Sequence, residues 1–190
     1  RIEIRAKLPS VQGAWPAAWM LGNSITTVGW PACGEIDIME HINTSEMIHG
    51  TMHWWDTSHA SYGSSTGYTP DAWHVYMVQR TPDSISWFID GRRYLTGNIK
   101  DGINGTNEFH LPFHVLLNLA IGGLWPGFEV DDAAFPIRFE VDYVRVDGTV
   151  GIKTPPATPS ALRIHGIYPN PAYGDAVIIY EISRHTHVSV

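Results

Sequence analysis

Gly34-Glu35-Ile36-Asp37-Ile38-Met39-Glu40-His41 sets three carboxylic acids inside an otherwise apolar run. A strand turns successive side chains to opposite faces, so Glu35 and Asp37 share a face while Glu40 falls on the other. One extra residue at Ile38-Met39, a β-bulge, resets the alternation and returns Glu40 to the face of the other two acids. The stretch therefore predicts a bulged strand with one face on a core and three acids on the other. A lone Glu-x-Asp usually marks the wet side of a strand. Here Trp30-Pro31, Cys33, Ile36, Ile38 and Met39 surround it and describe a packed segment instead. A calcium loop, the other common reason to cluster acids, would place Gly and Asn between its ligands rather than Ile and Met.

Outward from this strand the chain keeps the same period. Ile2, Ile4, Ala6 and Leu8 alternate with Glu3, Arg5 and Lys7, and Pro9-Ser10 ends the run. Trp73–Thr81 and Ile85–Ile89 flank the turn triplet Pro82-Asp83-Ser84, and Asp90-Gly91 sends Arg92–Thr96 back antiparallel. Phe113–Ala120 is nearly all apolar, with Asn118 as its polar member, and predicts a central strand. Phe139–Val146 alternates as a last strand would. No helix of ordinary length has caps and period together. The expected fold is all-β, a concanavalin-like jelly-roll sandwich spanning 1–147. Because the chain opens in mid-strand, further N-terminal strands are expected upstream and the chain is read as a fragment. Residues 148–160, with Pro155-Pro156 and Pro159 among Thr, Ala and Ser, predict an extended linker. Residues 161–190 predict strand, turn and strand, a β-rich module cut short.

Charge and composition narrow the partners. Twelve basic against 19 acidic residues, a net charge of -7, argue against nucleic acid, whose backbone demands clustered cations. No apolar stretch approaches the roughly 20 residues of a spanning helix. The single cysteine, Cys33, excludes an internal disulfide and a multi-cysteine metal site. Eight Trp, eight Tyr and six Phe exceed what a small core needs, and rings with polar edges suit stacking on sugars.

Glycoside hydrolysis uses two carboxyl groups flanking the scissile bond, about 5–5.5 Å apart when configuration is retained. Three acids so close cannot all ionise freely, so at least one keeps its proton near neutrality. On that chemistry Glu35 is the expected nucleophile, Glu40 the acid and base, and Asp37 the group that steers the nucleophile. Trp15, Trp19 and Trp30 stand near enough in sequence to line the same cleft; Trp54, Trp55, Trp73, Trp87 and Trp125 are left open between cleft and core. His49 and His53 are four apart, but on a strand with no third ligand at a plausible spacing, and zinc is not expected there.

Glu35-Ile36-Asp37-Ile38-Met39-Glu40 resembles the Glu-x-Asp-x-x-Glu signature of glycoside hydrolase family 16 in its laminarinase branch. Gly13-Ala14-Trp15-Pro16-Ala17-Ala18-Trp19, Trp30-Pro31-Ala32-Cys33-Gly34, His49-Gly50-Thr51-Met52-His53-Trp54, Asn118-Leu119-Ala120-Ile121-Gly122-Gly123 and Val141-Asp142-Tyr143-Val144-Arg145-Val146 carry the likeness over residues 1–147. The resemblance implies a retaining endo-β-1,3-glucanase with Glu35, Asp37 and Glu40 as its acids. It implies Trp15, Trp19, Trp30 and His53 against a β-glucan substrate, and no cofactor for catalysis. It also implies a structural calcium on the outer face, held in part by Asp142. Mixed-linkage glucan, agarose and carrageenan are the neighbouring substrates, and a noncatalytic sugar-binding sandwich is the rival from another class. Ile167-Tyr168-Pro169-Asn170-Pro171 with Val177–Ile182 resembles the start of a type IX secretion sorting domain, which implies export; a monomer is expected.

Overall fold

The computed structural model describes residues 1–148, 162–168 and 177–182, the last two segments as backbone only. Most of the expected linker and the Pro169-Asn170-Pro171 turn lie outside the described residues. Twelve strands occupy the described residues: β1 (Ile2–Lys7), β2 (Ala14–Gly22), β3 (Glu35–Glu40), β4 (Met47–Trp55), β5 (His59–Gly67), β6 (Trp73–Arg80), β7 (Ser84–Ile89), β8 (Arg92–Asn98), β9 (Phe113–Ile121), β10 (Glu140–Val146), β11 (Leu162–Tyr168) and β12 (Val177–Ile182). Among the described residues the one α-helix, α1 (Ile25–Val28), is a single turn, and Lys100–His110 forms a kinked 3₁₀ segment.

The strands make two antiparallel sheets. One has the order β10-β1-β6-β7-β8, the other β11-β12-β9-β2-β3-β4-β5. Period-two patterning puts Ile4, Ala6, Ile36, Ile38, Met39, Ile48, Tyr76, Val78, Ile85 and Trp87 in one core between the sheets. Trp87 is fully buried, and its indole N–H donates to the Asp37 carbonyl at 2.7 Å. The floor of the acidic strand is thereby fixed to the opposite sheet. The expected hairpin at Pro82-Asp83-Ser84 and the tight turn at Asp90-Gly91 join β6 to β7 and β7 to β8.

The strict alternation expected along Phe139–Val146 does not hold. Ile2 faces Val146 and Ile4 faces Val144, but Ala6 faces Val141, so β10 carries one extra residue next to Asp142. Val144 and Val146 on one side of this bulge and Phe139 and Val141 on the other all reach the core. A single unbroken period would have sent half of them into water.

Candidate active site

The expected irregularity in β3 is present. Against β4, Glu35 faces His53, Ile36 faces Met52 and Asp37 faces Thr51, but Glu40 faces His49. Three steps along β3 thus match two along β4, and the same shift recurs against β2, where Asp37 faces Trp19 and Glu40 faces Ala17. Because His49, Thr51 and His53 alternate along β4, they share a face, and so do the three acids beside them. Ile38 and Met39 both drop into the core, at 1% and 0% exposure. Their burial is what holds the bulge in register.

This register builds the rest of the trough. Trp15, Ala17 and Trp19 of β2 face Ala120, Asn118 and Leu116 of β9. Ser61, Gly63 and Ser65 of β5 continue the same face beyond His53, Thr51 and His49. The loop that carries Trp30 is clamped at its base: the Gly22 N–H donates to the Gly34 carbonyl at 2.9 Å. A Cβ on Gly22 would lie 1.8 Å from the Cys33 carbonyl oxygen, so only glycine allows that approach.

Each acid has its own partner. The Trp30 indole N–H donates to Glu35 Oε2 at 2.9 Å, and that of Trp15 to Glu40 Oε1 at 3.0 Å. Trp19 donates to Asn118 Oδ1 at 2.8 Å. Asp37 shares a hydrogen bond with Glu35 and lies 3.3 Å from His53 Nε2 through its own Oδ2. Burial raises the pKa of Glu35, while the imidazole of His53 and the Trp30 N–H pull it back. Burial first, then the charge of Glu35, hold Asp37 far above the usual carboxylate range. Asp37 therefore keeps the proton of the pair and donates it to Glu35. Burial, followed by the nearby Asp37 carboxyl, pushes Glu40 up to about 8. The trough thus sets Glu35, the acid whose charge its neighbours support, beside two acids that hold their protons, Asp37 and Glu40, the division of labour that acid–base and nucleophilic steps require.

Trp15, Trp30 and His53 reach the acids, and Trp19 stands opposite Asp37 on β2 with its N–H on Asn118. Trp30 is half exposed and meets the His59 ring at 4.7 Å, and His53 Nδ1 is 3.0 Å from His59 Nε2. Of the tryptophans left open, Trp54 and Trp87 are core residues. Trp73 lies under the Arg5 guanidinium on the outer face. Trp125 joins the trough: its ring meets Trp15 edge-on at 5.6 Å and His49 at 4.9 Å. His49, His59, Asn118 and Trp125 were not singled out from the sequence as site residues. The alternation of His49 with His53 was a usable signal for His49, as was the lone polar position of Asn118 in an apolar strand. His59 and Trp125 sit in segments without a readable period.

Asp142 is on the outer face, where its Oδ2 accepts from Arg5 Nη1 at 2.6 Å. The two form an ion pair on the surface. Among the described residues, the only cluster of three acid, imidazole or thiol ligands is Glu35, Asp37 and His53.

With this geometry in place, comparison decides the family. Glycosyl hydrolases family 16 matches residues 1–145. The chain belongs to glycosyl hydrolase family 16. This family 16 chain is 42% identical over 163 residues to a beta-glucanase of Rhodothermus marinus, covering 77% of the chain and 56% of that protein. It is 41% identical over 149 residues to the clotting factor G alpha subunit of Tachypleus tridentatus, covering 77% and 22%. The crystal structure of laminarinase from Flavobacterium sp. UMI-01 superposes with a TM-score of 0.68 at 40% identity, covering 75% of this chain and 64% of that one. The family 16 chain thus spans about half of the beta-glucanase and less than a quarter of the clotting factor subunit.

Proposed function

We propose that the protein of which this chain forms a part is a retaining endo-β-1,3-glucanase acting by double displacement. The observation that carries this reading is the bulge, which sets Glu35, Asp37 and Glu40 on one face with Trp15 and Trp30 bonded to the outer two. The beta-glucanase and laminarinase names of the relatives above support a β-glucan as substrate.

Glu35, kept anionic by the N–H of Trp30 and the O–H of Asp37, attacks the anomeric carbon. Glu40 gives its proton to the departing glycosidic oxygen, so the C–O bond breaks as the glycosyl ester forms. Glu40, now a carboxylate, takes a proton from water, and the hydroxide oxygen replaces Glu35 with overall retention. Asp37 steers Glu35 and takes up part of its charge as the ester forms. Trp30 and Trp15 with Trp125 offer flat faces for sugar rings on either side of the acids. Every step is carried by the chain's own carboxyls, with no cofactor. Export from the cell and a monomeric state complete the reading. They rest on the polymeric substrate, too large to enter a cell, and on a trough formed within one chain.

The test is release of reducing ends from laminarin by the full chain, set beside mixed-linkage glucan, agarose and carrageenan. Laminarin should be cleaved fastest. Glu35→Gln should lose hydrolysis and keep binding; unchanged turnover in that variant overturns the assignment.

A further inference from the structure

Glu35, Asp37 and His53 each offer one ligand atom, and these atoms lie within 4.8 Å of one another. His53 Nε2 and Asp37 Oδ2 are already 3.3 Å apart, close to the roughly 3.4 Å edge of a tetrahedron with zinc–ligand bonds near 2.1 Å. Asp37 is 3% exposed, and its Oδ2 receives no aligned hydrogen bond. This buried oxygen without a hydrogen bond faces an imidazole nitrogen, and a cation entering between them would displace the proton that Asp37 shares with Glu35. On its far side His53 Nδ1 meets His59 Nε2 at 3.0 Å. With the proton on Nδ1 and donated to His59, the Nε2 lone pair is left facing the two acids. Metal-binding histidines are commonly held in this way, by a partner on the other ring nitrogen. Glu35 is only partly buried, so its side chain has room to close the remaining gap, up to about 1.4 Å against that edge.

We propose that Glu35, Asp37 and His53 form a binding site for a divalent transition-metal ion of the Zn²⁺ class, with His59 fixing the tautomer of His53. The mixed imidazole and carboxylate set favours Zn²⁺, Cu²⁺ or Ni²⁺ over Ca²⁺ or Mg²⁺, which take oxygen ligands in larger number. The site differs from the His49 and His53 pairing that the sequence brings to mind; its other ligands come from the neighbouring strand. Occupancy would cap the carboxylate assigned as nucleophile, so Zn²⁺ becomes an inhibitor. That consequence, unlike the binding, rests on the glucanase reading.

The test is calorimetric titration of Zn²⁺ into the full chain in a non-coordinating buffer, without polysaccharide. The expected result is a site whose affinity falls at least about tenfold in His53→Gln and in Asp37→Asn, falls in the same sense in His59→Gln, and is unchanged in His49→Gln. Absence of binding, or an equal loss in His49→Gln, overturns the proposal. Should a variant fail to fold, Co²⁺ added to the unmutated chain gives a second readout. Paramagnetic broadening should reach the His53 and His59 ring signals first, and broadening confined to other histidines overturns the site. Failure of laminarin hydrolysis would refute the glucanase reading and leave this titration standing.

Discussion

Trp15→Phe keeps an aromatic face in the trough and removes the one N–H that reaches Glu40, 3.0 Å from Oε1. That N–H favours the ionised form of Glu40 and opposes the burial that lifts its pKa to about 8. A hydrogen bond to a charged group contributes about 1.5–3 kcal/mol. Taking the lower end, because the trough is open on one side, and about 1.4 kcal/mol per pKa unit, the Glu40 pKa rises by about one unit when the donor is lost. As the proposed acid, Glu40 must be protonated to act on the leaving group, so activity should fall as pH rises through this pKa. The basic limb of kcat/KM against pH, measured on laminarin, should shift upward by about one pH unit in the variant. Lost stacking lowers its height, but its position reports only the acid. A limb that stays in place, or moves to lower pH, refutes both the role of Glu40 and the part given to Trp15.

Trp30→Phe removes the donor to Glu35 Oε2, and with it support for the nucleophilic anion; the acidic limb of the same profile should move to higher pH. Glu40→Gln should stabilise the fold in alkali. The folded pKa of about 8 lies above the ordinary 4.5, so the native chain loses stability as pH rises from about 4.5 through 8, at up to about 1.4 kcal/mol per pH unit. Urea melts at pH 5 and pH 9 should show the variant's advantage growing with pH, and an advantage larger at pH 5 contradicts the burial argument. Gly50→Ala places a Cβ 2.4 Å from the Tyr94 hydroxyl and 2.6 Å from Trp87 Cδ1 under the trough floor. It should cost about 1–3 kcal/mol of stability by overpacking, read from the urea midpoint; an unchanged midpoint would show that the floor yields freely.

Much of the sandwich could be read from residues alone because its strands either alternate or are apolar throughout. β1, β6, β7 and β9 declare themselves in this way, and Asp90-Gly91 fixes the β7–β8 turn. β2 and β5 do not. Pro16 interrupts β2, and its residues become a strand through pairing with β9 and β3 on both sides. His59–Gly67 is Ser- and Gly-rich, and only its ladder to β4 makes it a strand. Tertiary pairing overrides local propensity in both. The acids were legible because a bulge is a phase error in a two-residue period, and Glu40 displays that error within six residues. The second bulge, at Asp142, was hidden because charged and apolar residues stand on both sides of it. His59 and Trp125 reach the site through the β4–β5 register and a loop between β9 and β10, relations that no local spacing encodes.

In the proposed mechanism Glu35 attacks the sugar while Glu40 serves it from the same face, an arrangement that depends on the bulge at Ile38-Met39. An activated 2-deoxy-2-fluoro-glucoside carrying a β-1,3-linked glucose arrests such an enzyme as its glycosyl ester, and the modified peptide can be sequenced by mass spectrometry after digestion. One sugar adduct per chain is expected, on Glu35. An adduct on Glu40 or Asp37 contradicts it, as does turnover of the reagent with inversion at the anomeric carbon.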